Sequence, residues 1–191
     1  MSSTLRGSHR SKWDYYITPQ YAINDFMKEF MKCEKIWPTF NIIDPCAGGD
    51  ATHNMSYPTV LNSGGFYNIE TYDIREDSLA TNKIDYLKAK IEIFPDIIIT
   101  NPPFDQSIPI IEKSLKDVRD GGFVIMLQRL NFMGGTTYKK KFWDKVGLPK
   151  YIFIHRKRMS FTNDGKTDSI EYAHYVWEKG YSPEFSKIKI I

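Results

Sequence analysis

The chain has 191 residues, 41% of them hydrophobic, 26% charged and 15% aromatic, with a formal charge of +3. That length suits one domain with a sizeable core and leaves two full domains cramped, and the mild basic excess permits a nucleic-acid partner without demanding one. Cys33 and Cys46 have no CxxC spacing and no paired histidines, which argues against a zinc site or a disulfide framework, and with no membrane-length apolar run or signal peptide a cytoplasmic home without a membrane partner is expected.

Residues 1–12 are small, polar and basic, and read as a flexible arm ahead of a single domain over 13–191. Thr18 and Pro19 introduce a helical pattern over Tyr21, Ile23, Phe26, Met27, Phe30 and Met31, with Thr18 as N-cap and Pro19 at the first helical position; the helix is expected to run to about residue 34. Phe40 to Asp50 reads as a buried strand ending in a glycine turn, where Gly48 and Gly49 can take positive φ and bring the backbone close to a ligand. Ala51 to Pro58 does not read as a regular helix, because Pro58 would break it. Tyr67 to Ile74 is a second short strand ending in a carboxylate. An acid about 20 to 30 residues beyond the first strand is the usual device for holding ribose hydroxyls, which makes Asp73 the ribose candidate and Glu70 a weaker one.

Asp96 to Phe104 follows, a β-branched run that stops at Asn101, two prolines and an aromatic ring. It predicts a buried central strand whose carboxyl end carries a rigid turn, at the sheet edge where α/β folds bind ligands. Such a turn can present the Asn101 amide, the Pro102 carbonyl and the Phe104 ring in a fixed arrangement, and these groups suit a planar amine: carbonyl oxygens accept from an exocyclic NH2 while the ring stacks on its heterocycle. A helical pattern over Ile108 to Val118 is closed by Asp120-Gly121-Gly122, and the strand Phe123 to Leu127 delivers Gln128 to Phe132 to the same edge. Gly134 to Lys150 reads as loop and short helix. Tyr151 to Ile154 and Tyr172 to Trp177 read as two late strands joined by a polar loop, a hairpin-like end to the sheet.

Asn-Pro-Pro-Phe after a buried strand resembles motif IV of the amino methyltransferases, which use S-adenosylmethionine to methylate an exocyclic nitrogen, most often adenine N6 in DNA. Tyr16-Ile17-Thr18-Pro19 is similar to motif X of those enzymes, which contacts the methionine carboxylate of the cofactor, and Asp44-Pro45-Cys46-Ala47-Gly48-Gly49 resembles motif I, the cofactor cradle. Asp50 stands where the final glycine of motif I normally falls, a departure that touches the local cofactor contacts. The resemblance implies that Asn101, Pro102, Pro103 and Phe104 carry catalysis. It implies that Tyr16, Thr18, Pro19, Asp44, Cys46, Gly48, Asp73, Ile74, Asp85 and Tyr86 hold S-adenosylmethionine, with Asp85 and Tyr86 bordering its adenine ring. The tail from the basic run to the Tyr-Ala-x-x-Val-Trp strand resembles methyltransferase-like proteins of bacteriophages and prophages, with an arginine role that falls to Arg156 or Arg158.

The motif order, without a large insert, looks like a minimal γ-type adenine methyltransferase. The implied fold is α/β and Rossmann-like, a seven-stranded mostly parallel sheet with a late antiparallel strand. The implied reaction is direct methyl transfer to adenine N6 in DNA after base flipping, with no metal. RNA adenine, cytosine N4, a protein glutamine amide, or cofactor binding without catalysis are the alternatives. No stretch remains for a separate target-recognition domain, so recognition is expected from a partner protein or from two basic loops that hold Arg129, Lys139, Lys140, Lys141, Arg156, Lys157, Arg158 and Lys166.

Overall fold

The computed structural model describes residues 16–135, 137–161 and 170–191, with the side chains of 137–139 left aside. The expected arm, Lys166 and the side chain of Lys139 therefore lie outside the described residues. The described chain folds as an eight-stranded sheet with helices on both faces. The strands are β1 (Ile42–Asp44), β2 (Ile69–Asp73), β3 (Asn82–Lys83), β4 (Ile97–Thr100), β5 (Phe123–Arg129), β6 (Tyr151–Ile154), β7 (Tyr172–Glu178) and β8 (Lys187–Ile190), in the spatial order β3-β2-β1-β4-β5-β7-β6-β8. Neighbouring strands are parallel except where β7, antiparallel to both, sits between β5 and β6. The architecture is the Rossmann-like α/β fold anticipated above, with the late antiparallel strand in place and an additional edge strand, β8.

Side-chain alternation along the strands divides the core in two. Ile97, Ile99, Phe123, Ile125, Phe153 and Val176 face one layer, formed by helices α1 (Gln20–Cys33) and α2 (Ser56–Ser63). Ile98, Val124, Met126, Ile152, Tyr175 and Trp177 face the other, formed by α3 (Ser107–Asp117) and α4 (Thr137–Val146). In α1 the buried Ala22, Ile23, Phe26, Met27 and Phe30 recur at the three- and four-residue spacing of a one-sided helix. None of the described helices is long and apolar enough to cross a membrane.

Two local expectations are corrected. Helix α1 begins at Gln20 with Pro19 in the N-cap position and no side-chain cap, because Thr18 turns inward to another partner. Pro58 does not prevent a helix: it is the third residue of α2, within the first turn, where a backbone N–H has no intrahelical acceptor to lose.

Candidate active site

The carboxyl ends of β1, β2 and β4 open into a cavity of about 500 Å3. Its walls bring together Tyr16, Thr18, Cys46, Asp73, Ile74, Asp85, Tyr86 and the whole Asn101–Phe104 turn, residues drawn from five separate stretches of the sequence. Three of the expected cofactor residues, Pro19, Asp44 and Gly48, are not in the wall. Asp44 is fully buried beneath the turn, accepting from the Cys46 N–H at 3.2 Å. Burial pushes its carboxyl up to about 7, against the pull of the Thr100 hydroxyl and the Cys46 N–H.

The glycine turn is built as a cradle. Gly48 and Gly49 have φ of 67° and 74°, and a Cβ on Gly49 would sit 2.9 Å from Met55 Cγ and 3.1 Å from Leu79 Cβ. Only glycine meets both demands. Asp73 locks this turn from below, its carboxylate accepting the Gly48 N–H at 2.9 Å and the Arg75 N–H at 2.8 Å. Arg75 completes the lock by donating from Nη2 to the Gly49 carbonyl at 2.6 Å. The candidate ribose carboxylate is thus also the brace of the loop it serves.

Asp50, the departure from the glycine pattern, does not enter the cavity. Its carboxylate accepts from the Thr52 N–H and hydroxyl, both at 2.7 Å, and from the His53 N–H at 2.9 Å. Those bonds, the Thr52 hydroxyl foremost, hold the carboxyl down at about 2. The substitution closes a small turn outside the cradle.

Across the cavity, Asn101 follows β4. Its Nδ2 donates to Thr18 Oγ1 at 3.0 Å, which is where the inward-turned threonine goes. Its Oδ1 is buried and, among the described residues, has no hydrogen-bond partner, which is costly unless a ligand supplies a donor. The Pro103 carbonyl accepts the Gln106 N–H at 2.9 Å and lies 3.3 Å from the Ser107 hydroxyl, whereas among the described residues no donor reaches the Pro102 carbonyl. Phe104 borders the cavity. Arg129 and Tyr172, directly opposed across β5 and β7, support its ring, with the guanidinium 4.4 Å and the Tyr172 ring 6.0 Å from its centroid. The Asn101 amide, the Pro102 carbonyl and the Phe104 ring thus belong to one short segment of the same cavity wall that also holds Gly49 of the glycine turn.

Several wall residues lie outside every motif that the sequence marked for the site: Ser56, Tyr57, Arg75 and Ile110. Tyr57 stands on α2, the helix that Pro58 seemed to forbid. Its hydroxyl shares a 2.8 Å hydrogen bond with Nε2 of the fully buried His174, whose Nδ1 lies 2.7 Å from His155 Nε2. Tyr86 is held by its hydroxyl, which donates to Asp117 at 2.8 Å, and Asp85 accepts the Leu87 N–H at 3.0 Å. Of the basic residues, Lys140 and Lys141 are exposed on α4, and Arg156, Lys157 and Arg158 are exposed just after β6. The two runs lie on opposite faces of the sheet: α4 packs on the α3 face, whereas Lys157 lies over the ring of Tyr21 on α1.

No family model and no curated protein matches this chain. Solved structures do. A candidate class I S-adenosylmethionine-dependent methyltransferase from Listeria monocytogenes superposes with a TM-score of 0.66 at 14% identity, over 92% of this chain and 65% of that one. A type I restriction-modification system methyltransferase subunit from Streptococcus thermophilus gives 0.64 at 9% identity, over 87% of this chain and 45% of the subunit. A candidate RNA methyltransferase from Pyrococcus horikoshii gives 0.63 at 17% identity, over 93% of both chains. The chain thus shares the class I methyltransferase fold while spanning less than two thirds of the first two proteins.

Proposed function

We propose that this protein transfers a methyl group from S-adenosylmethionine to the exocyclic N6 of adenine in DNA. One observation carries the reading: the buried, unpartnered Asn101 Oδ1 stands beside an unclaimed Pro102 carbonyl, in the same cavity as a glycine cradle that a Cβ would fill. The cradle and the Asp73–Ile74 strand end fit an adenosyl group, and S-adenosylmethionine, when bound there, supplies an electrophilic methyl on a sulfonium.

The chain's own groups then do the aiming. Thr18 fixes the Asn101 amide so that Oδ1, not Nδ2, faces the target. Oδ1 and the Pro102 carbonyl accept the two amine hydrogens, which leaves the nitrogen lone pair directed at the methyl carbon. The cavity face of Phe104 stacks on the flipped heterocycle while Arg129 and Tyr172 hold the ring from the sheet side. With the donor held in the cradle, its S–C bond would break as the new N–C bond formed, and the amine proton would go to water, the residues named here serving to hold and orient the amine.

The test titrates S-adenosylmethionine calorimetrically and follows tritiated methyl transfer to unmethylated DNA, RNA and protein. Transfer to DNA adenine is expected, with Asn101→Ala abolishing turnover and leaving cofactor affinity nearly intact. Wild-type turnover in Asn101→Ala, or transfer to RNA or protein alone, would refute the assignment. We further infer that stringent target recognition comes from a partner protein, a reading that the likeness to a type I restriction-modification methyltransferase subunit supports.

A further inference from the structure

Next to the cavity, on the α1 side of the sheet, lies a small third core in which Ala22, Leu127, Met159 and Tyr172 are buried. Aromatic rings surround Tyr172: Phe161 at 4.9 Å and 65°, and Phe104 at 6.0 Å and 29°, with Tyr16 beyond Phe161 at 6.3 Å. Phe104, Phe161 and Tyr16 are each only partly buried, and Tyr16 and Phe104 also border the cavity. Four segments thus converge on a row of rings, Phe104, Tyr172, Phe161 and Tyr16, whose two ends border the cavity and whose Phe161 lies outside the cavity wall.

Cations ride on the margin of this row. The Arg129 guanidinium covers the Phe104 ring, and Lys157 Nζ lies 4.2 Å from the centroid of Tyr21, which packs on the same core. Among the described residues neither makes an ion pair, whereas their neighbour Arg158 meets Glu171 at 3.4 Å. Arg129 Nε is moreover buried with no hydrogen-bond partner among the described residues. Elsewhere the partly buried cations are engaged: Lys113 with Asp117, Lys150 with Glu34 and Glu178, and Lys179 with backbone carbonyls. Cations without an acidic partner among the described residues, set beside partly buried aromatic rings, are the chemistry that holds a single nucleic-acid strand, bases on rings and phosphates on cations.

We infer that this row is a platform for the DNA strand flanking the target base, with Phe161 stacking a neighbouring nucleotide and Arg129 and Lys157 contacting its phosphates. The inference rests on the functional reading above and adds to it the path by which the strand enters. It also reassigns Tyr16 from the cofactor to the strand.

Fluorescence anisotropy of a labelled, adenine-containing single-stranded DNA of about 20 nucleotides, longer than one such platform covers, tests it on the full-length protein. Phe161→Leu keeps apolar volume and removes the π face; it is expected to weaken binding at least about fivefold, the low end of base–ring stacking. Lys157→Ala, at an exposed position, is expected to lower the slope of log affinity against log salt by about 0.7, one single-strand phosphate contact. Unchanged affinity and slope in both variants, with circular dichroism confirming the fold, would overturn the platform, and tighter binding of RNA of the same sequence would overturn its assignment to DNA. Methyl transfer is measured in parallel. A wild-type protein that methylates DNA while both variants bind normally loses only the platform; binding that depends on both residues without transfer to any strand leaves the platform and removes the methyltransferase reading.

Discussion

Replacing Thr18 by valine keeps the shape of the side chain and removes the acceptor of the Asn101 Nδ2 hydrogen bond, 3.0 Å away, at a position only 3% exposed. A buried amide donor left unpaired costs about 1 to 3 kcal/mol. The simplest relief is to turn the amide over, which points Nδ2 into the cavity where Oδ1 is needed. A donor then meets the hydrogens of the incoming amine, and the lone pair loses its alignment. If the whole cost falls on the transition state, turnover drops about 5- to 150-fold, at 1.36 kcal/mol per factor of ten. The measurement is single-turnover methyl transfer at saturating cofactor and DNA, with cofactor affinity read by calorimetry. Affinity is expected to hold within about twofold, since Thr18 acts on the target side. Thr18→Ser, which keeps the hydroxyl, is expected to recover most of the rate. The reasoning fails if Thr18→Val turns over like wild type, or if it loses cofactor affinity while saturated turnover is intact, because Thr18 would then serve the cofactor.

Asp73→Ala removes the acceptor of the Gly48 and Arg75 N–H groups as well as the candidate ribose contact, so cofactor affinity is expected to fall about 5- to 150-fold, equivalent to about 1 to 3 kcal/mol; calorimetry on the folded variant giving the wild-type value would exclude Asp73 from the site. Gly49→Ala combines a left-handed φ with the crowding by Met55 and Leu79, and is expected to cost about 2 to 4 kcal/mol of stability, read as a lowered urea midpoint. A midpoint equal to wild type would mean that the turn relaxes freely. Burial depresses His155 to about 4, and burial, with the neighbouring His155, holds His174 well below the ordinary histidine value. Between pH 6.5 and 4 the unfolded chain therefore binds protons that the folded chain refuses. The stabilisation is present above about 6.5 and is lost as pH falls through that window, about 2 kcal/mol from His155 alone by pH 5. Urea denaturation at pH 7 and pH 5 measures this, and equal stability at the two values would show that the pair protonates freely in the fold.

The strands and turns that build the site were legible because their chemistry is local: a short β-branched run favours a buried strand, and two prolines end it while fixing the backbone that follows. Asn101, Pro102, Phe104 and the glycine turn could be named from adjacent residues alone. What the sequence hid was tertiary. Thr18 has every local mark of an N-cap, and only the arrival of Asn101, 83 residues later, explains why it turns away from the helix. Pro58 breaks a helix at most positions and is harmless in a first turn, a distinction that depends on where the loop before it ends. Arg75 braces the Gly49 carbonyl across 26 residues, and nothing next to it in the chain announces that bond. Strand β8 is a four-residue alternation, Lys-Ile-Lys-Ile, whose isoleucines are both exposed, so no hydrophobic face marked it.

The position of β7 has a consequence for how the protein is made. β6 is synthesised before β7, yet it pairs only with β7 and β8, both of which come later, and so it has no place in the sheet when it first emerges. The five parallel strands can zip in order of synthesis, whereas the far side must wait for a hairpin to close and then dock against β5 as a unit, at the entropic cost of a long loop. That docking sets Tyr172 opposite Arg129 and puts a floor under Phe104. A nascent or truncated chain can thus form the glycine turn and the strands beneath it well before the support of the Phe104 ring is in place, so under the proposed function the donor site would take shape ahead of the target site by the time it takes the last strands to arrive.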